Sequence, residues 1–315
     1  MEKLFLSAFL FLGCMLIASD SKVFVPPSDK DIPGGKLGST IKYGKELLER
    51  FPYYLGQKGS IGQYGGNGLA CQSCHLKAGT VPYGLNYFSV HARYPQYRGR
   101  EGKILTLSQR INNCIERPLN GTKMPLQSDE MIAMVTYIKW MGEGIPTGGR
   151  VKGDTLKDIK IPIKAADSIR GKIVYDKYCM VCHQKDGQGV MKDDAIAYKY
   201  PPVWGFASYQ PGSSMHRIIK AAKFIKNNMP LGVTYKSPVL TDEEAIDVAA
   251  YINDDRIHKR PKYEFVVVEY PHIEDKPIDY HKPPYADKFS QEQHKFGPFQ
   301  PIYDWRKENG QYLGY

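Results

Sequence analysis

Apolar residues recur every three to four positions in separate stretches of the chain, the spacing of helices that each bury one face. Ile41, Leu47 and Leu48 predict a helix over residues 40–51. A second is expected over 105–114. Met131, Met134, Val135, Ile138 and Met141 mark the buried side of a third, over 128–141, with Ser128 as its N-cap. The plan then returns. Residues 165–178 and 214–226 read as helices, and Thr241-Asp-Glu-Glu244 is a capping box. It opens a helix whose Ala245, Val248, Ala249 and Ile252 face a core. Tyr137-Ile138 and Tyr251-Ile252 hold equivalent places, so the chain reads as an internal repeat of two all-α units.

The intervening segments have other characters. Residues 22–35 are rich in Pro and Gly and read as extended. A Gly/Tyr-rich insertion covers 56–68, and 80–103 is irregular, aromatic and rich in Arg. Residues 148–164 form a linker that opens on Gly148-Gly149. Past Lys259 the composition shifts to Pro, Tyr, Asp and Lys, and residues 260–315 show no helical period. The aromatic content argues against free disorder, so this extension is expected to wrap over both units. At the other end Lys3 precedes an apolar run from Leu4 to Ala18, the form of an export signal cleaved near residues 18–20. That run is short for a membrane span, and a lipid anchor at Cys14 is the less favoured reading. The expected division is therefore 1–20 signal, 37–147 first domain, 148–164 linker, 165–258 second domain and 259–315 extension.

Chemistry enters with Cys71-Gln-Ser-Cys74-His75 and its repeat Cys179-Met-Val-Cys182-His183. C-x-x-C-H is the attachment signature of haem c. On a helix the two thiols and the next imidazole share one face, so the thiols can bond two vinyl groups while the histidine reaches the iron. A zinc site or a disulfide pair would leave His75 and His183 without a purpose. Two covalently bound haems c follow, with His75 and His183 as proximal ligands. The fold class is all-α: two cytochrome c domains in tandem with a long irregular C-terminal extension. Export of such a chain implies the periplasm.

A chain of 315 residues suits two such domains plus extras, and 42% hydrophobic content can supply their cores. The formal charge of +10 arises from 43 Lys+Arg against 33 Asp+Glu. No Lys/Arg-rich tract or nucleic-acid motif accompanies it, so the partners expected are small anions or acidic electron carriers, not nucleic acid. Of the six cysteines, Cys14 lies in the signal and four hold haem. Cys114 remains, unpaired in an oxidising compartment.

The distal ligands distinguish the two haems. In the second unit Met229-Pro230 lies at a usual separation beyond His183, with Met215 as the rival. His/Met ligation gives a high potential and a closed iron suited to electron transfer. The first unit leaves two candidates open. Met124-Pro125-Leu126 is the repeat equivalent of Met229-Pro230-Leu231, whereas Cys114, one turn after Arg110, would be a thiolate near cations.

The run Gly68-Leu-Ala-Cys71-Gln-Ser-Cys74-His75-Leu-Lys-Ala-Gly79 resembles the first haem site of the thiosulfate dehydrogenase family of dihaem cytochromes c, the tetrathionate synthases. Tyr94-Pro-Gln-Tyr-Arg98-Gly-Arg100-Glu-Gly, Arg110-Ile-Asn-Asn-Cys114-Ile-Glu-Arg117-Pro-Leu-Asn120 and the tail run from Tyr285 to Phe299 are similar to that family as well. The resemblance implies His75 and Cys114 on haem 1, His183 and Met229 on haem 2, and Arg100 and Arg110 near the substrate. It implies oxidative coupling of two thiosulfate dianions to tetrathionate or the reverse, with electrons leaving by haem 2 to a soluble or membrane-bound redox partner, such as another cytochrome c. Arg98 and Arg117 are reserves for anion binding. The chain departs from the pattern at Pro118, where the family usually has a Ser close to the substrate, and at Met124, where Leu is frequent.

Two further expectations concern side chains away from the haems. Arg217, Lys220, Lys223 and Lys226, near Met229 on one expected helix, are candidates for a landing surface for an acidic redox partner. His281 and His294 in the extension read as packed or solvated histidines rather than ligands.

Overall fold

The computed structural model describes residues 22–261 and 269–311. The expected export signal therefore lies outside the described residues. Among those described, no helix is long and apolar enough to cross a membrane.

The first half contains α1 (Gly35–Glu49), α2 (Phe51–Leu55), the distorted single turn α3 (Leu76–Gly79), a hairpin of β1 (Gln96–Arg98) and β2 (Lys103–Leu105), α4 (Leu107–Glu116) and α5 (Asp129–Met141). The expected helix over 40–51 starts earlier and ends at Arg50, whose ψ of 29 breaks the period before Pro52 sets up α2. Side-chain caps start the next two long helices. Thr106 accepts from the Gln109 amide while the Gln109 side chain accepts from the Thr106 amide, and Ser128 accepts from the Met131 amide.

The second half contains α6 (Ser168–Tyr178), the single turn α7 (Met180–His183), a hairpin of β3 (Val190–Met191) and β4 (Tyr198–Tyr200), α8 (Ile218–Asn228) and α9 (Asp242–Ile252). The Thr241–Glu244 capping box forms as the sequence predicts. The expected helix over 214–226 does not run unbroken. Arg217 is extended (φ −82, ψ 123), and its guanidinium is held by Asp279 of the extension at 2.5 Å.

Each half is built on one crossing of its first and last long helices, α1 on α5 and α6 on α9. The crossings share a device. A Cβ on Gly44 would meet the Ala133 carbonyl at 2.0 Å and Tyr137 at 3.0 Å. A Cβ on Gly171 would meet the Asp247 carbonyl at 1.9 Å and Tyr251 at 2.9 Å. Glycine lets the backbones approach, and the tyrosine on the partner helix lies over it. The hydrophobic cores gather around these crossings, one from Ile41 to Met141 and one from Val174 to Ile302.

Two short hairpins and two helices were not legible as such. The extension holds α10 (Gln291–Phe296) and α11 (Phe299–Glu308) where no helical period was expected. Phe299 and Ile302 of α11, with Ile278 and Phe296, complete the second core. A single turn of apolar spacing set among Pro and polar residues gives too weak a pattern to read. An ion-paired cluster with no exposed side chain fixes these helices: Arg306 Nε donates to Asp287 at 2.6 Å, and His294 lies between Asp287 and the Ile278 carbonyl, 2.8 Å from each. The extension also reaches the first half. Tyr97 Oη donates to Asp275 at 2.6 Å, and the Tyr270 amide donates to the Arg100 carbonyl at 2.8 Å.

The basic face expected on α8 is not a landing surface. Lys223 is buried against Asp158 at 2.7 Å, Lys226 pairs with Asp242, and Arg217 pairs with Asp279. The helix is packed nearly all round, and carboxylates from the linker, from α9 and from the extension take up the charges of Lys223, Lys226 and Arg217 but not that of Lys220.

Candidate functional site

The two C-x-x-C-H motifs present their histidines alike. His75 Nδ1 donates to the Leu85 carbonyl, and His183 Nδ1 donates to the Pro201 carbonyl at 2.7 Å. Each bond fixes the ring and leaves Nε2 as the metal-binding nitrogen, the usual orienting contact of a ligating imidazole. Tyr87 stacks on His75 at 4.7 Å between centroids. Two thiols per motif and a pre-oriented imidazole fit covalent haem c at both places.

Around the first motif the cysteines diverge. Burial pushes the Cys71 thiol up and Cys74 to about 12, with the neighbouring charge of Cys114 adding to both. Burial likewise raises Cys179 to about 12. Cys114 moves the opposite way. Burial opposes its ionisation, yet Arg110, His75 and Arg117 together bring the thiol down to about 6. Arg110 Nη1 donates to Cys114 Sγ at 2.9 Å, across one turn of α4. His75 also favours the charged form of the same sulfur.

Met124 does not share this environment. It is 2% exposed within the first core, and Asn112 clamps its backbone, donating to its carbonyl at 2.9 Å and accepting from its amide at 3.0 Å. Pro118, just past α4, offers its carbonyl to Asn67 Nδ2 at 3.0 Å, which ties the helix end to the approach to the haem motif. In the second half Met229 directly follows α8, half-buried against the core, and Met215 packs there too.

The arginines separate into kinds. Arg100 is 9% exposed, donates to Glu269 at 2.5 Å and to the Gly212 carbonyl at 2.6 Å, and lies over the rings of Tyr270 and Tyr280. Arg117 pairs with Glu101 at 2.6 Å and Glu269 at 3.6 Å. Arg110 has no carboxylate within ion-pair distance among the described residues, and its closest polar partner is the Cys114 sulfur. Arg98 lies on β1 with a buried Nε that makes no hydrogen bond among the described residues. Three guanidiniums thus surround two carboxylates and one acidic thiol. Glu101 stood inside a motif already singled out, but the extension's Glu269, Tyr270 and Tyr280 gave no sequence signal. They reach the site only through the fold.

Residues 62–147 match the SoxA/TsdA cytochrome c domain and residues 168–254 match cytochrome c. The chain is 36% identical over 242 residues to the thiosulfate dehydrogenase of Allochromatium vinosum, covering 76% of this chain and 84% of that protein. It is 34% identical over 239 residues to the thiosulfate dehydrogenase of Stutzerimonas stutzeri, covering 76% and 73%. A solved structure of the thiosulfate dehydrogenase TsdBA from Marichromatium purpuratum aligns over 84% of this chain with 30% identity and a TM-score of 0.70, and this chain spans 54% of that one. The chain accordingly consists of two tandem cytochrome c domains, mostly helical, and carries two covalently bound haems c.

Proposed function

The chain is an oxidoreductase of the thiosulfate dehydrogenase family, and from that premise we propose that it couples two thiosulfate anions to tetrathionate at the first domain, with the reverse reaction at the same site. The haems, when bound, would supply one-electron chemistry, so that the two electrons released by the coupling could leave through the second domain to an external redox partner. His75 and Cys114 would hold the iron of haem 1, and His183 and Met229 that of haem 2. The observation that supports this reading is the Cys114 thiol beside Arg110 Nη1 at 2.9 Å, brought down to about 6.

The residues divide the work. Cys114 supplies a thiolate at neutral pH. Two dianions about 5 Å apart repel by roughly 3 kcal/mol at the dielectric of water, so their coupling needs fixed positive charge. Arg110 supplies it, because no carboxylate among the described residues lies within ion-pair distance of its guanidinium. Arg100 and Arg117 contribute a weaker field, each offset by Glu101 or Glu269. The basic residue and apolar run at 3–18 support export to the periplasm.

The test is thiosulfate-dependent reduction of ferricyanide by the purified dihaem protein, run beside tetrathionate reduction with a low-potential donor. Activity in at least one direction is expected. A protein whose haems reduce normally with dithionite but which is inert to both sulfur anions would overturn the reading and leave an electron-transfer cytochrome.

A further inference from the structure

Among the described residues three arginines are buried, and two of them have carboxylate partners: Arg100 has Glu269 and Arg306 has Asp287. Arg260 is 5% exposed and has none. Its Nη1 donates to the Tyr209 carbonyl at 3.2 Å. Its Nη2 donates to the carbonyls of Val203 and Ile252 at 3.0 and 2.8 Å, to Asn253 Oδ1 at 3.0 Å and to Tyr209 Oη at 3.3 Å. All of these acceptors are neutral. The Nε is buried and makes no hydrogen bond among the described residues. The guanidinium also lies 4.2 Å from the centroid of the Tyr209 ring.

A buried cation surrounded only by neutral acceptors is costly, and proteins retain one where an anion meets it. A second buried atom nearby has the same character. His216, 1% exposed, uses Nε2 toward Asp255 at 2.9 Å and Lys295 at 3.1 Å, while its Nδ1 has no partner among the described residues. Asn253 joins the two residues: its Oδ1 accepts from Arg260 and its Nδ2 donates at 3.1 Å to the carbonyl of Met215, next to His216 in the chain. The backbone contacts favour the second haem, while Tyr209 also lies within electrostatic reach of Cys74 of the first motif. The Val203 carbonyl, which receives Arg260, lies two residues past Pro201, whose carbonyl orients His183. The carboxylates that a haem c brings to this half are its two propionates.

We propose that Arg260 binds a propionate carboxylate of the second haem through its Nε edge, and that this ion pair holds that haem's reduction potential up. A propionate paired with a guanidinium no longer favours the ferric iron by its negative charge. The pairing uses haem c in the second domain and does not depend on the sulfur chemistry at the first.

The experiment compares wild type, Arg260→Gln and Arg260→Lys as dihaem proteins, with the loading of both haems checked by the pyridine haemochrome spectrum. Spectropotentiometry and redox-difference infrared spectroscopy are then run on each. In Arg260→Gln the midpoint of the second haem should fall, that of the first should stay, and a propionate carboxylate band should shift. Arg260→Lys keeps the charge without the planar fork, so its midpoint should lie between the other two with the same band displaced. If Arg260→Gln fails to load haem, Arg260→Lys decides alone by its band. Unchanged midpoints and bands would overturn the proposal. A lowered midpoint with unshifted carboxylate bands would also overturn it, since Arg260 would then act only as a distant charge.

Discussion

The two halves share a scaffold and differ in one helix. Both close on a Gly–Tyr crossing, and both orient the haem histidine through Nδ1 and a backbone carbonyl. The helices α4 and α8 occupy corresponding places, yet they use their charges in opposite ways. On α8, Lys223 and Lys226, with Arg217 at its N-cap, have carboxylate partners, and the helix is followed by Met229. On α4, Arg110 faces a sulfur on its own helix instead of a carboxylate. The same fold thus packs a methionine just past the helix in one half and sets an acidic thiol beside a guanidinium in the other. Arg110, left without an ion-paired carboxylate, acts with His75 and Arg117 to bring Cys114 to about 6, while burial drives Cys74 and Cys179 to about 12.

The comparison breaks most completely at the cysteine. Cys114→Gly should abolish thiosulfate-dependent electron release while both haems stay attached, because attachment uses Cys71, Cys74, Cys179 and Cys182. The low-spin thiolate signal expected in the electron paramagnetic resonance spectrum of the oxidised wild type should vanish in the variant. Two His/Met signals in the wild type would instead assign Met124 to haem 1. Next in size is Arg110→Ala, expected to lower kcat/KM for thiosulfate on the order of 10²-fold through the loss of a preorganised donor. Arg110→Lys, with charge but no fork, should recover part of the loss, and full activity in Arg110→Ala would dismiss the arginine.

On the other side of the comparison, Met229→Leu should leave the first domain's spectrum intact. It should lower the potential of the second haem and slow electron delivery to an external acceptor. An unchanged second haem would transfer the ligand role to Met215.

A smaller effect concerns α8 itself. Burial, reinforced by Arg217 and Lys223, depresses the Lys220 ammonium to about 8. The unfolded chain therefore holds that proton more tightly than the folded one. Below about pH 8 the folded state bears the full cost of the charge, and stability rises as pH climbs from about 8 toward about 10.4, the ordinary lysine value. Urea titrations should find Lys220→Met more stable than wild type at pH 7, with the gap closing toward pH 10. A gap that stays constant with pH would mean that the side chain is solvated. The smallest expected effect is that of Met124→Leu. It should cost less than about 1.5 kcal/mol and leave turnover alone, as a volume-conserving exchange in a packed core.

Local patterns in the sequence determined much of this molecule. The C-x-x-C-H spacing, the caps at Ser128 and Thr241, the apolar face of α5 and the paired Tyr137 and Tyr251 are all set within a few residues, so their physics can be read from the string alone. The lone Cys114 with Arg110 one turn before it was legible for the same reason. What only the tertiary structure decided is which charges remain uncompensated. Arg100 and Arg110 look alike in sequence, and the fold brings Glu269 to one and leaves the other facing sulfur. Lys223 and Lys226 look like a surface until the linker's Asp158 and α9's Asp242 meet them. The extension resisted reading because α10 is short and α11 has few apolar positions among Pro and polar residues, and because both gain their stability from Asp287, Arg306 and the second core. Electrostatic pairing between separate segments of the chain leaves no local pattern, and here that pairing distinguishes Arg110, which faces a thiol, from the cations held by carboxylates.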